Sequence, residues 1–114
     1  MTEIIERKHQ RTELNQPISV FDTINGGILG ELVNVSVDGI MIISERAVPV
    51  QSIYQLALQL PVTIEGQDRI HLGADCLWCR PAEDGQRHWA GLQIIDISDE
   101  ALAQLDVLIA SYAK

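Results

Sequence analysis

Residues 32–43 read Leu-Val-Asn-Val-Ser-Val-Asp-Gly-Ile-Met-Ile-Ile. Apolar runs at Leu32-Val33 and Ile40 to Ile43 flank a short polar stretch ending on an Asp-Gly step, the pattern of two strands joined by a tight turn. Side chains alternate across a strand, so Asn34 and Ser36 are expected on one face and Val35 and Val37 on the other. That face would carry an amide and a hydroxyl, each able to donate and accept, beside Gly39, whose missing side chain lets a ligand approach the backbone. A hairpin corner with a satisfied serine reads the same way, so a binding role needs support from elsewhere.

Similar punctuation recurs on both sides. Upstream, Pro17 opens a strand expected from Ile18 to about Phe21, Asn25-Gly26-Gly27 is a turn, and the second strand spans Ile28 to Val35. After the corner come strands from Ile40 to Ser44, Tyr54 to Leu60, Arg69 to Arg80, with a bulge signal at Gly73, and Arg87 to Ile97. Ser98-Asp99-Glu100 then combines a helix cap with acids suited to the positive end of a helix dipole. Leu102, Leu105, Ile109 and Tyr112 follow at helical spacing. Short strands joined by turns, then one helix, predict an all-β chain: a six-stranded antiparallel β-barrel with one C-terminal helix packed on it.

At 114 residues the chain has room for one domain. Its division is expected at residue 16: a polar, charged arm over 1–16, poorly ordered on its own, and a barrel with its helix over 17–114. No apolar run is long enough for a membrane span, and MTEIIERKHQR contains no uninterrupted apolar segment of the signal-peptide kind, so a cytoplasmic location is expected. A formal net charge of -8 disfavours general binding to nucleic acid or anionic membrane. An anionic ligand would need a local basic cluster. One exists at Arg7-Lys8-His9-Gln10-Arg11, which holds three of the eight Lys and Arg residues.

The Arg-x-x-x-Arg of Arg7 and Arg11, the Asn-x-Ser-x-x-Gly of Asn34, Ser36 and Gly39, and Gly91 in the last strand before a terminal helix together resemble the PilZ domain. Either motif alone is weak; the two in this order, with 22 residues between them, are fairly specific. The resemblance implies a receptor for the bacterial second messenger cyclic di-GMP, acting in motility or biofilm signalling through a downstream protein partner. By carry-over, Arg7 and Arg11 would hold phosphates and guanine edges, while Asn34, Ser36 and Gly39 would meet a guanine. The chemistry is sensible in its own right, because a guanidinium can bridge the O6 and N7 acceptors of guanine or fork onto a phosphate. Two departures stand out. Ile94 occupies a place where the family often has Phe, a packing matter, and Glu6 precedes the first arginine where members that take up a stacked ligand pair tend to be basic. One ligand molecule per chain is therefore expected.

Other chemistry-bearing residues read as structural. Cys76-Leu77-Trp78-Cys79 has redox or half-zinc spacing, but residues three apart in a strand point to opposite faces, so two unrelated thiols are expected. His9, His71 and His88 show no metal spacing, and Ser36 has no nucleophile elbow or identifiable base. No enzyme, metal or cofactor is expected. The alternative to a nucleotide receptor is a PilZ-like adaptor that works by protein contacts in motility or pilus machinery without binding nucleotide; members of that kind usually lack the arginine pair.

Overall fold

The structure, a computed structural model, describes residues 12–64 and 66–113. Among these residues seven strands and one helix follow in order: β1 Thr12–Glu13, β2 Ser19–Asp22, β3 Ile28–Val35, β4 Gly39–Ser44, β5 Ile53–Ile64, β6 Gln67–Pro81, β7 His88–Asp96 and α1 Asp99–Tyr112. Neighbours pair antiparallel in the order β1-β3-β2-β5-β6-β7-β4, and a further β3–β4 pairing closes β2 to β7 into the expected six-stranded barrel. Closure leaves no long unpaired edge among the described strands of the barrel. The bulge anticipated at Gly73 is present as a register shift between Gly73 and Ala74.

Inward positions alternate along most strands, with the alternation broken in β3, where a register shift between Leu32 and Asn34 turns both Leu32 and Val35 inward. Val20, Leu32, Val35, Ile40, Ile42, Leu56, Leu58, Ile70, Leu72 and Leu92 fill the barrel, and Leu105 and Leu108 of α1 join the same core. Ser98 caps the helix, its Oγ accepting from the Ala101 N–H at 3.0 Å. The buried face of the helix differs from the expected stripe: Ala101, Gln104, Leu105 and Leu108 are buried, while Leu102, Ile109 and Tyr112 are half-buried at its border. Helical spacing alone admits either face, and the barrel selects the one that also carries a glutamine.

Two further features depart from the sequence reading. β1 lies outside the barrel, pairing Thr12 with Val35 and Glu13 with Asn34. The Asn15 N–H then donates to the Tyr112 carbonyl at 2.9 Å, tying the chain that enters the barrel to the end of α1. In β6 the register shifts between Cys76 and Trp78, so that Cys76 opposes Leu92 and Cys79 opposes Ala90, two inward positions. The extra residue, Leu77, thus puts both thiols on one face, correcting the expectation that they point apart. Both are free. Burial, with Cys79 close by, pushes the Cys76 thiol pKa up, which keeps it protonated and unreactive.

Candidate functional site

The β3–β4 corner is built by its own serine. Ser36 N–H donates to the Gly39 carbonyl at 2.9 Å, closing a two-residue loop of Val37 and Asp38. Ser36 Oγ accepts from the Asp38 N–H at 3.1 Å and the Gly39 N–H at 3.3 Å. The side chain is 3% exposed, so its remaining capacity is chiefly the hydroxyl hydrogen. The Asp38 carbonyl accepts from the Ile94 N–H at 2.8 Å, which pins the corner to β7. Gly39 is buried and opposes Gln93; its backbone is not in the left-handed region, so no conformational need for glycine arises there.

Asn34 stands differently. Its neighbour Val35 points into the core, which turns Asn34 outward. Its Nδ2 donates to Met41 Sδ at 3.4 Å, a weak acceptor. Its Oδ1 is buried and accepts no hydrogen bond among the described residues. Such a group costs about 1–3 kcal/mol unless something satisfies it.

Cross-strand register extends the outer face sideways from this amide. Glu13, Asn34, Met41, Gly91 and Trp78 stand opposite one another on β1, β3, β4, β7 and β6. A side chain at Gly91 would run into the indole of Trp78, so the glycine lets that ring lie flat across the neighbouring strand. The Arg80 guanidinium sits 4.8 Å above the indole. The row is therefore an amide, a thioether and an aromatic face on one side of the barrel. Met41, Trp78 and Arg80 are its members that the motifs did not mark. Trp78 reaches this face only because Leu77 interrupts the alternation of β6, and no residue type in Cys-Leu-Trp-Cys-Arg signals that.

Arg7 and Arg11, the other half of the expected site, lie outside the described residues, as does Glu6. The described chain begins at Thr12, which pairs with Val35. No group of three metal-ligating side chains occurs among the described residues, and no described helix is long and apolar enough to cross a membrane.

This fold and corner belong to a known class. The family model for the PilZ domain matches residues 5–111, nearly the whole chain, and the chain is a member of the PilZ domain family. Among solved structures it is similar to the inhibitor of motility MotI/DgrA of Bacillus subtilis, with a TM-score of 0.72 and 16% identity, covering 96% of this chain and 51% of that one. It is also similar to the PlzA protein of Borreliella burgdorferi in complex with c-di-GMP, with a TM-score of 0.55 and 12% identity, covering 90% of this chain and 48% of that one. At such identities the likeness is one of fold, and this chain spans about half the length of either protein. A search of curated proteins found no match.

Proposed function

We propose that this PilZ domain is a non-enzymatic receptor that binds cyclic di-GMP between Arg7 and Arg11 of the N-terminal arm and the barrel face at Asn34, Ser36 and Gly39. The observation that carries the reading is the unpartnered Asn34 Oδ1, one strand away from the point where the arginine-bearing arm joins the barrel. An acceptor left over needs an N–H donor, and the arginines need acceptors. The guanine edge offers both, N–H groups beside O6 and N7. Trp78, capped by the Arg80 guanidinium, supplies a cation-covered aromatic surface at the other end of the same row, against which a second base can pack if the guanidinium swings aside or stacks on it in turn. The c-di-GMP complex of PlzA supports the ligand class, and the motility inhibitor supports a motility output.

The dinucleotide carries two negative charges into the field of a chain whose net charge is -8, so the cations at 7, 8 and 11 must supply the local attraction. Glu6 beside them opposes the added charge of a stacked pair, which favours one molecule per chain. Binding orders the arm against β3, and the composite surface of arm and ligand is what a downstream protein reads. Because β1 is already paired at Thr12–Glu13, only the few residues before it need ordering, at roughly 1–2 kcal/mol each.

Calorimetric titration of the domain with cyclic di-GMP, with GTP and cyclic di-AMP as controls, tests the reading. Saturable binding of cyclic di-GMP alone, at one per chain, is expected. Unchanged heat in the Arg7→Ala/Arg11→Ala double variant overturns the assignment. Amide exchange tests the switch: protection should rise on ligand addition in residues 5–11 and 34–39, with α1 unchanged.

A further inference from the structure

Gln104 occupies the inner face of α1, where the pattern calls for an apolar side chain, and is 4% exposed. Its amide makes no hydrogen bond among the described residues. It borders a recess of about 160 Å³ together with Gln67, Arg69 and His71 of β6 and Ser98 and Glu100 at the helix start. We propose that this recess binds a carboxylate, the acidic side chain of a partner polypeptide.

Four groups of donors converge there. The Gln104 amide lines the recess from its buried side and has two N–H groups it can turn toward a ligand. Arg69 is held in place, its Nε donating to Gln59 Oε1 at 3.0 Å and its guanidinium 4.6 Å above the Phe21 ring, which leaves the terminal nitrogens to reach a ligand. Gln67 and His71 share the same strand face. The first N–H groups of α1 have no intrahelical acceptors, and Ser98 Oγ satisfies only that of Ala101. Against these stands one carboxylate, Glu100, which lines the recess and penalises a dianion more than a monoanion. That balance selects a carboxylate over hydrogen phosphate. The size selects its source: pockets that enclose a free metabolite run to about 300–1,000 Å³. This recess, whose β6 residues and Glu100 are all exposed, admits only the tip of something larger.

The site is distinct from the nucleotide surface. The fourteen residues of α1 span about 20 Å, with the recess at the first turn and the anchored arm at the last. Its test therefore omits nucleotide and does not depend on the nucleotide reading.

Nitrogen-labelled full chain is titrated with acetyl-aspartate N-methylamide, with its asparagine counterpart as a charge-free control, and with acetate and inorganic phosphate. The aspartate probe should give saturable shifts at the Gln104 side-chain amide and at the Asp99 and Glu100 N–H groups, and the asparagine probe none. Gln104→Leu should abolish the shifts while leaving the melting temperature equal or higher, because an apolar side chain suits that face. Arg69→Gln, on the surface, should weaken binding by about threefold to fivefold, and it decides the matter if Gln104→Leu fails to fold. No saturable shift, or equal shifts in both variants, overturns the site. Tighter binding of phosphate overturns the carboxylate assignment, and acetate binding more tightly than the aspartate probe overturns the polypeptide source.

Discussion

Two turns of the barrel place a short polar side chain against the backbone, and they differ in what is left over. At the β2–β3 turn, Asp22 is 8% exposed, and both of its carboxylate oxygens are engaged. Oδ1 accepts from the Ile24 and Asn25 N–H groups, both at 3.0 Å, and Oδ2 from Asn25 Nδ2 at 3.0 Å. At the β3–β4 corner, Ser36 is occupied in the same manner, but Asn34 two residues earlier keeps a buried acceptor unused. A polar group that serves the fold is satisfied by the fold. One that is buried and unsatisfied, as Asn34 Oδ1 and His88 Nδ1 are among the described residues, calls for an explanation outside the fold's own hydrogen bonds, and for Asn34 the proposed ligand supplies one. Substitutions at the first turn should therefore move stability without affinity, and substitutions around Asn34 the reverse.

The largest departure from parity belongs to the arm. Arg7→Ala and Arg11→Ala should each cost roughly 1.5–3 kcal/mol of binding, the range for charged hydrogen bonds, or about 10- to 150-fold in Kd by calorimetry. Neither should shift the melting temperature measurably. A fall in melting temperature matching the loss of affinity would make the arm part of the fold and break the comparison.

Trp78→Ala and Asp22→Ala should be of similar size and opposite kind. The first removes an aromatic face worth about 1–3 kcal/mol per stacked base, read in affinity for cyclic di-GMP. The second removes the charged acceptor of the Ile24 and Asn25 N–H groups, part-buried at an exposed turn, and should lower stability by about 1–2 kcal/mol in denaturant unfolding with affinity unchanged. Its pH signature is specific. Burial opposes ionisation of Asp22, but the hydrogen bonds from Asn25 and Ile24 outweigh it and lower the pKa below the ordinary 3.8. A depressed folded pKa means stability that is present in full above 3.8 and lost as pH falls through the lower folded value. Asp22→Asn should remove that acid-side slope, leaving a flatter stability profile below 3.8 than the parent shows.

The difference between the turns was only partly visible in the sequence. Strands, turns and the capped helix were legible because alternation, Asn-Gly-Gly, Asp-Gly and Ser-Asp-Glu are local signals with local causes. The pair of motifs was legible as well. What could not be read depends on pairing across the sheet. Thr12–Glu13 is a strand only because β3 offers it an edge. The bulge at Gly73 carried its glycine as a flag, whereas the one at Leu77 carried none, and so the relative faces of Cys76 and Cys79 were misread. Asn34 and Ser36 looked equivalent two positions apart; only the closed corner separates the serine that holds the turn from the amide that does not.

Ser36→Ala is the intermediate case. Its Oγ serves two backbone N–H groups, so removal should lower stability by about 1 kcal/mol, and loss of the hydroxyl donor should weaken nucleotide binding by about the same amount. Equal loss in both measurements places Ser36 between the two kinds of turn residue. Loss of stability alone would assign it wholly to the corner.

Asn34→Leu gives the smallest change and the sharpest one. Leucine keeps the branched shape with somewhat more bulk, discards a donor that reaches only Met41 Sδ, and removes the unsatisfied Oδ1 altogether. Replacing a half-satisfied amide by an apolar group of similar shape is close to neutral for folding. The melting temperature should therefore hold or rise slightly. Affinity for cyclic di-GMP should fall by the value of one neutral hydrogen bond, about 0.5–1.5 kcal/mol, or roughly 2- to 12-fold. A parallel loss of stability would mean that Asn34 holds the corner as Asp22 holds its turn. Unchanged affinity would mean that the unpaired acceptor is not where the guanine edge docks, and the ligand would then have to be held by the arginines and the Trp78 face alone.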